Sequence, residues 1–166
     1  MSQYTPAPLL TLTPNPALDL TGHLDLLQPG VVNLTNAGHL HPAGKGINVA
    51  RVLKDLGAHV RVGGFRGAEN QAPCHALCQE QALEDAFLVV PGATRINVKL
   101  VEQDGRVTDL NFPGVEVDET GLQHFEQQLL TLCAGVDYVV LAGSLPRGVS
   151  PQRLQQWLRT LRDAGK

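Results

Sequence analysis

The sequence predicts an α/β fold built on a mostly parallel sheet, and three observations carry that prediction. Short apolar runs alternate with amphipathic stretches at helical spacing, the rhythm of strands joined by crossover helices. Gly, Pro and Asn clusters bound these runs where the connections turn. At 166 residues, with 43% apolar and 17% charged side chains, the chain is long enough to bury one core and is neither disordered nor fibrous.

Leu9-Leu10-Thr11-Leu12-Thr13 reads as a first buried strand, stopped by Pro14-Asn15-Pro16. A helix follows Gly44-Lys45-Gly46, with Ile47, Val49, Ala50, Val52, Leu53 and Leu56 apolar and Gly57 as its stop. His59 to Phe65 is a second strand, about Glu69 to Leu83 a weaker helix, and Ala86 to Val90 a short third strand. Thr94 to Glu102 and Arg106 to Phe112 flank Gln103-Asp104-Gly105. Asp-Gly between alternating segments signals a hairpin, because a tight turn wants residues that tolerate positive φ. Asp118 to Cys133 is helical and Asp137 to Gly143 is a strand. The last helix has Ser150 as cap, Pro151 in its first turn, a stripe of Leu154, Trp157, Leu158 and Leu161, and Gly165 as its end.

The hairpin at 94–112 stands outside the strand–helix rhythm. Alone it is marginal in water, so it is expected to pack on further strands, another subunit being one source. The chain ends one residue past a helix terminator, where the alternation asks for another strand. No internal repeat, low-complexity segment or polar linker marks a second domain.

The formal charge is −3, from 16 acidic and 13 basic residues, and no dense basic patch occurs, so nucleic acid is not an expected partner. No apolar run nears the roughly 20 residues of a membrane span; the longest is Tyr138-Val139-Val140-Leu141-Ala142. Met1 to Pro6 lacks a basic stretch followed by an apolar one, so no secretory signal is read. Cysteines stand only at 74, 78 and 133, an odd number without CxxC spacing, which argues for a reducing cytoplasm.

His41-Pro42-Ala43-Gly44-Lys45-Gly46-Ile47-Asn48 is the most informative stretch. Glycines ahead of a helix let a ligand approach bare N–H groups, where the dipole favours negative charge or polar oxygens. Lys45 adds a point charge, and Asn48, one turn in, can donate and accept at a hydroxyl. The pattern is not a Walker A loop: Gly38 precedes Gly44 by one residue too many, and Gly46 replaces the Mg-binding Ser/Thr. Pattern alone is equally met by an ordinary glycine-rich turn. Gly63-Gly64-Phe65-Arg66-Gly67 misses the dinucleotide spacing and reads as a strand-to-helix turn.

Asp19 lies just past the end of the first strand, the edge where open α/β sheets bind ligands, and suits sugar hydroxyls; alone it reads as a solvated or capping residue. On the strand from Thr94, Arg95, Asn97 and Lys99 share one face and Ile96, Val98 and Leu100 the other. Two cations and an amide suit a phosphate or polyhydroxyl beneath a lid, although a half-exposed strand is the commoner source of this pattern. Ser144, in Gly143-Ser144-Leu145-Pro146, ends a core strand at the same edge, where a plain turn is the other reading. No metal is expected: His39 and His41, or His75 between Cys74 and Cys78, lack a third ligand at a usual spacing. Cys133, on an apolar helix face, reads as core.

Four stretches occur together in one order: Asn15-Pro16-Ala17-Leu18-Asp19, the run Ala43 to Ala50, Gly92 to Lys99, and Gly143-Ser144-Leu145-Pro146. In order and spacing the chain resembles the ribokinase-like family of carbohydrate kinases, and within it the bacterial 1-phosphofructokinases, over essentially its whole length. Ala43 departs from the pattern, since many relatives carry glycine there.

The resemblance implies a ribokinase-like α/β core with a small β lid that often forms a homodimer contact. Residues 1–166 then form the N-terminal part of one carbohydrate-kinase domain, with lid segments at about 17–40 and 93–113 inserted in the core. Asp19 and Asn48 would hold sugar hydroxyls with backbone support from Gly44 and the charge of Lys45. Arg95, Asn97, Lys99 and Ser144 would serve the sugar phosphate or the closed lid. The implied reaction takes fructose 1-phosphate to fructose 1,6-bisphosphate with ATP and Mg²⁺. Tagatose 6-phosphate kinase is an alternative within the family.

Family members run to roughly 300 residues, about two ordinary domain lengths. Their catalytic base and anion hole sit in a Gly-Ala-Gly-Asp motif in the second half, with most of the nucleotide site, and that motif is absent here. The chain is therefore expected to carry the sugar side, no catalytic residue, and no activity alone. A non-catalytic remnant that binds a sugar phosphate or a partner is the competing expectation.

Overall fold

The computed structural model describes residues 8–36 and 38–166; the reading of Met1 to Pro6 lies outside the described residues. In β1 (Leu9–Thr13), Leu10, Leu12, Thr11 and Thr13 are all buried, so the strand has no solvent face. Such a strand belongs inside a parallel sheet. It pairs in parallel with β4 (Val60–Gly67) on one side and β8 (Tyr138–Leu141) on the other. With β5 (Glu84–Val90) beyond β4, the order is β5-β4-β1-β8. The chain winds from β1 outward to β4 and β5, then returns to the far side of β1 as β8. Strand order thus reverses between β1 and β8, and a ligand crevice opens at such a point.

Leu9, Val60 and Val62 face α1 (Lys45–Asp55) and α2 (Ala72–Glu80), packing with Ala50 and Cys78. Leu10, Leu12 and Phe65 face α3 (Glu119–Leu132) and α4 (Pro151–Asp163). There Phe125 lies between Phe65 and Trp157, with ring centroids 4.7 and 4.9 Å away. The Trp157 indole donates to Glu126 at 2.8 Å, and Arg153 binds Glu126 and Glu119 together, tying α4 to α3. Ser150 caps α4 as the sequence predicts, and Asp118 caps α3. Gly64 lets β4 lie close to β1: its φ is 133°, and a side chain there would strike the Thr13 carbonyl.

A second sheet stands apart from the core, in the order β3-β2-β6-β7, from β2 (Ala17–Leu24), β3 (Leu40–Ala43), β6 (Arg95–Glu102) and β7 (Val107–Leu110). The expected hairpin is β6–β7, and the strand it packs on belongs to the same chain: β2 pairs with β6 in parallel over eight residues. Another subunit is not needed to complete it. β2 and β3 are additions to the strands read from periodicity. Gly105 alone takes positive φ in the turn, 86°, and the Gly105 amide donates to the Glu102 carbonyl at 2.9 Å. The loop is the three residues Gln103-Asp104-Gly105, closed by the Glu102 amide donating to the Arg106 carbonyl at 2.9 Å.

Other readings shift: Gly63 to Gly67, expected as a strand-to-helix turn, lies within β4 paired to β5, and β8 ends at Leu141 rather than Gly143. The third core strand starts at Glu84 rather than Ala86, and the weak helix over 69–83 resolves into a 3-10 turn at Ala68–Asn70 followed by α2. Among the described residues, no helix is long and apolar enough to cross a membrane.

Candidate functional site

A cleft of about 320 Å³ opens where the carboxyl ends of β1 and β8 meet the N-terminus of α1 under the second sheet. All eight residues singled out in the sequence line it: Asp19, Gly44, Lys45, Asn48, Arg95, Asn97, Lys99 and Ser144. Three other hollows are larger, one of them a mostly apolar one beside Asn70, Ile96 and Phe112. A second lies between β3 and α2, and a third surrounds Arg66, where Asp85 already binds both Arg66 and His75. The cleft differs by lying at the reversal of strand order and by gathering Lys45, Arg95 and Lys99 around a single carboxylate, Asp19.

Pairing of β2 with β6 sets Asp19 opposite Asn97, whose Nδ2 donates to Asp19 Oδ1 at 3.2 Å. The Asn97 Oδ1 atom is buried without a partner. Lys99 Nζ lies 3.6 Å from Asp19 Oδ2 and 3.2 Å from Asp109 Oδ1 on β7. The bond to Asp109, more than any other contact, holds the Lys99 ammonium above its ordinary pKa, against the opposing effect of burial.

Arg95 spends its guanidinium on the core. Nε donates to the Pro16 carbonyl at 3.3 Å, and Nη2 to the Asn15 carbonyl at 3.1 Å and the Ser144 hydroxyl at 3.2 Å. Burial lowers its pKa and Asp19 partly offsets this; a guanidinium stays charged regardless. The exposed Ser144 hydroxyl also accepts from Asn15 Nδ2 at 3.3 Å.

Gly44 opens α1 with φ 151°, and a Cβ there would lie 2.6 Å from Thr13 Cγ2. No side chain caps this helix. Its first N–H groups therefore face outward without intrahelical partners, ready for ligand oxygens. Lys45 and Asn48 extend exposed side chains beside them.

Two residues of the arrangement were not picked out in the sequence. Asn15, read there as part of a strand stop, is 5% exposed and joins the cleft wall through Ser144, Leu145 and Arg95. Nothing in the local pattern separates it from a turn asparagine. Asp109 becomes visible only through the β6–β7 register, which places it opposite Lys99.

Among the described residues, no three His, Cys, Asp or Glu side chains converge as metal ligands. All three cysteines are buried and free, and burial pushes their thiols up, Cys78 to about 11. Cys133 packs in the core beside Leu129 and Val136.

An α/β core, a second β sheet and a cationic polar cleft at the strand reversal define a fold of the ribokinase-like kind. The chain belongs to the pfkB family of carbohydrate kinases, whose profile matches residues 13–166. It is 52% identical over 158 residues to the 1-phosphofructokinase of Vibrio cholerae, covering 95% of this chain and 50% of that one. To the 1-phosphofructokinase of Escherichia coli it is 49% identical over 152 residues, covering 92% and 49%. Among solved structures, a possible 1-phosphofructokinase from Thermotoga maritima superposes with TM-score 0.85 at 30% identity, covering 95% of this chain and 51% of that one. Phosphofructokinase-2 from Escherichia coli in complex with fructose-6-phosphate superposes with TM-score 0.86 at 25% identity, covering 96% and 53%. The chain thus spans about half the length of the relatives it matches.

Proposed function

We propose that this chain forms the sugar-binding half of a 1-phosphofructokinase-type kinase, which transfers phosphate from ATP to fructose 1-phosphate and yields fructose 1,6-bisphosphate. The observation that carries the reading is the cleft, where three cations, one carboxylate, three amides and a bare helix N-terminus converge under a β sheet. Asp19 and Asn48 take the sugar hydroxyls, supported by the backbone at Gly44. Arg95, Lys99, Lys45 and Ser144 face the phosphate, since guanidinium and ammonium groups match its oxygens. Asn97 orients Asp19 through their hydrogen bond. The segments at about 17–40 and 93–113 act as the lid, and its apolar face, with Leu40, Ile96 and Leu110 exposed, is the contact for a homodimer.

In-line phosphoryl transfer also needs a base beside the acceptor hydroxyl and charge neutralisation at the phosphates. Among the described residues, Asp19 is the only carboxylate lining the cleft, and it is bound to Asn97 and Lys99. It serves better as a hydroxyl ligand than as that base. One carboxylate among three cations does not fit a Mg²⁺ site, and the phosphate-binding groups of the cleft are taken by the sugar phosphate, so we assign ATP and Mg²⁺ to no residue of this chain. The chain by itself binds the sugar phosphate and does not turn it over.

Calorimetric titration with fructose 1-phosphate, fructose and inorganic phosphate tests the reading, with a coupled ATP-dependent assay beside it. Fructose 1-phosphate should bind more tightly than either fragment, without turnover. Equal affinity for fructose and its phosphate would refute the phosphate-reading roles. Turnover in the ordinary enzyme range of about 1–1,000 per second would refute the claim of a sugar-binding half alone.

A further inference from the structure

We propose that Asp109 is a positioning residue for sugar binding: its carboxylate draws the shared Lys99 ammonium back from closing fully on Asp19, so that Asp19 Oδ2 keeps capacity for a sugar hydroxyl. The proposal rests on the sugar-phosphate reading of the cleft. Three adjacent strands build the arrangement. Register puts Asp109 of β7 directly opposite Lys99 of β6, while Thr21 of β2 stands opposite Lys99 on its other side. Asp19 is two residues back along β2, so it meets Lys99 only on the diagonal, where a long side chain still reaches.

The distances follow that geometry, with Nζ 3.2 Å from Asp109 and 3.6 Å from Asp19. The ammonium is shared between a carboxylate that lines the cleft, Asp19, and one that does not, Asp109. Asn97 already donates to the other Asp19 oxygen. A lysine ammonium is a compact charge on a flexible stem. Without the Asp109 charge, Asp19 is the carboxylate left within ion-pair reach of it among the described residues. Lys99 then closes on Asp19, both Asp19 oxygens become engaged, and the ammonium turns away from the phosphate. Arg95, four residues back on β6, cannot take the place of Lys99, because its fork is held by Asn15, Pro16 and Ser144.

Lys99 and Asp109 are 39% and 48% exposed, so the effect is that of a solvated ion pair, about two- to fivefold in affinity. The test is a cycle of four proteins titrated with fructose 1-phosphate: wild type, Asp109→Asn, Lys99→Met and the double variant. Asp109→Asn should weaken binding two- to fivefold in the wild-type background and leave Lys99→Met unchanged. An equal loss in both backgrounds, or a gain in affinity, would overturn the proposal.

A crystal structure of Asp109→Asn supplies the second readout, with Nζ expected to move within about 3 Å of Asp19 Oδ2. A Lys99 that keeps its wild-type separation from Asp19 overturns the proposal whatever the ligand does. If wild type itself bound no fructose 1-phosphate, the sugar-phosphate reading would fail, and the position of Lys99 in the variant would still decide whether Asp109 draws it back.

Discussion

Replacing Arg95 with alanine separates the two tasks that the cleft geometry gives this side chain. Its guanidinium bonds to the Asn15 and Pro16 carbonyls and the Ser144 hydroxyl, pinning β6 to the end of β1 and to the loop after β8. It also supplies one of three positive charges around the cleft. A hydrogen bond to a charged group contributes about 1.5–3 kcal/mol. Because Arg95 is only partly buried, we take the lower end, about 1.5 kcal/mol, or roughly tenfold in affinity. Arg95→Ala should therefore weaken fructose 1-phosphate about tenfold and change fructose by less than about twofold, as read by calorimetry. Added salt should erode the wild-type advantage, since screening acts on the charged contact. Arg95→Lys should recover only part of the loss, because one ammonium cannot reproduce a planar fork reaching both Asn15 and Ser144. If Arg95→Ala weakened both ligands equally, or neither, β6 would not be reading phosphate, and Arg95 would be a clasp alone.

Asp19→Asn keeps the shape and removes the charge, so sugar affinity should fall roughly tenfold to a hundredfold with little salt dependence; an unchanged titration would remove Asp19 from the site. Burial raises the Asp85 carboxyl, but bonds from Arg66, His75 and the Phe87 amide outweigh it and hold the pKa below its ordinary value. A depressed folded-state pKa adds stability above the unfolded value near 3.9 and loses it as pH falls through the folded one. Asp85→Asn should thus cost about 3 kcal/mol at pH 7, with the gap to wild type closing below about pH 4 in thermal melts; a gap independent of pH would contradict this. Trp157→Ala opens the aromatic cluster against Phe65 and Phe125 and leaves Glu126 without its indole donor. Chemical denaturation should show a loss of about 3–5 kcal/mol, and a loss under about 1 kcal/mol would mean the cluster is not part of the core.

The core was legible in the sequence because its signals are local. β1 is a short apolar run closed by prolines, and α3 and α4 carry side-chain caps at Asp118 and Ser150 ahead of apolar stripes. β2 was also there to be read: Leu18, Leu20 and Leu24 alternate with Asp19, Thr21 and His23, a period-two pattern that follows directly on the Pro14-Asn15-Pro16 stop. β3 is harder to see, since it is a four-residue edge strand containing Pro42. The cleft residues were legible as residue types at a strand edge or before a helix, and the fold brings all eight together. The clasp through Asn15 and the pairing of Lys99 with Asp109 were not legible. Both depend on contacts between segments far apart in sequence, which no local spacing encodes.

The central claim is that this cleft takes the sugar phosphate, and the most direct measurement is an amide-resolved NMR titration of the ¹⁵N-labelled chain with fructose 1-phosphate. Saturating shifts should appear together on the amides of residues 44–48 at the start of α1, 95–99 on β6 and 143–144 after β8, and should be lost in Asp19→Asn at the same ligand concentration. Shifts confined to the hollow around Arg66 and His75, or no saturable shifts at all, would contradict the account.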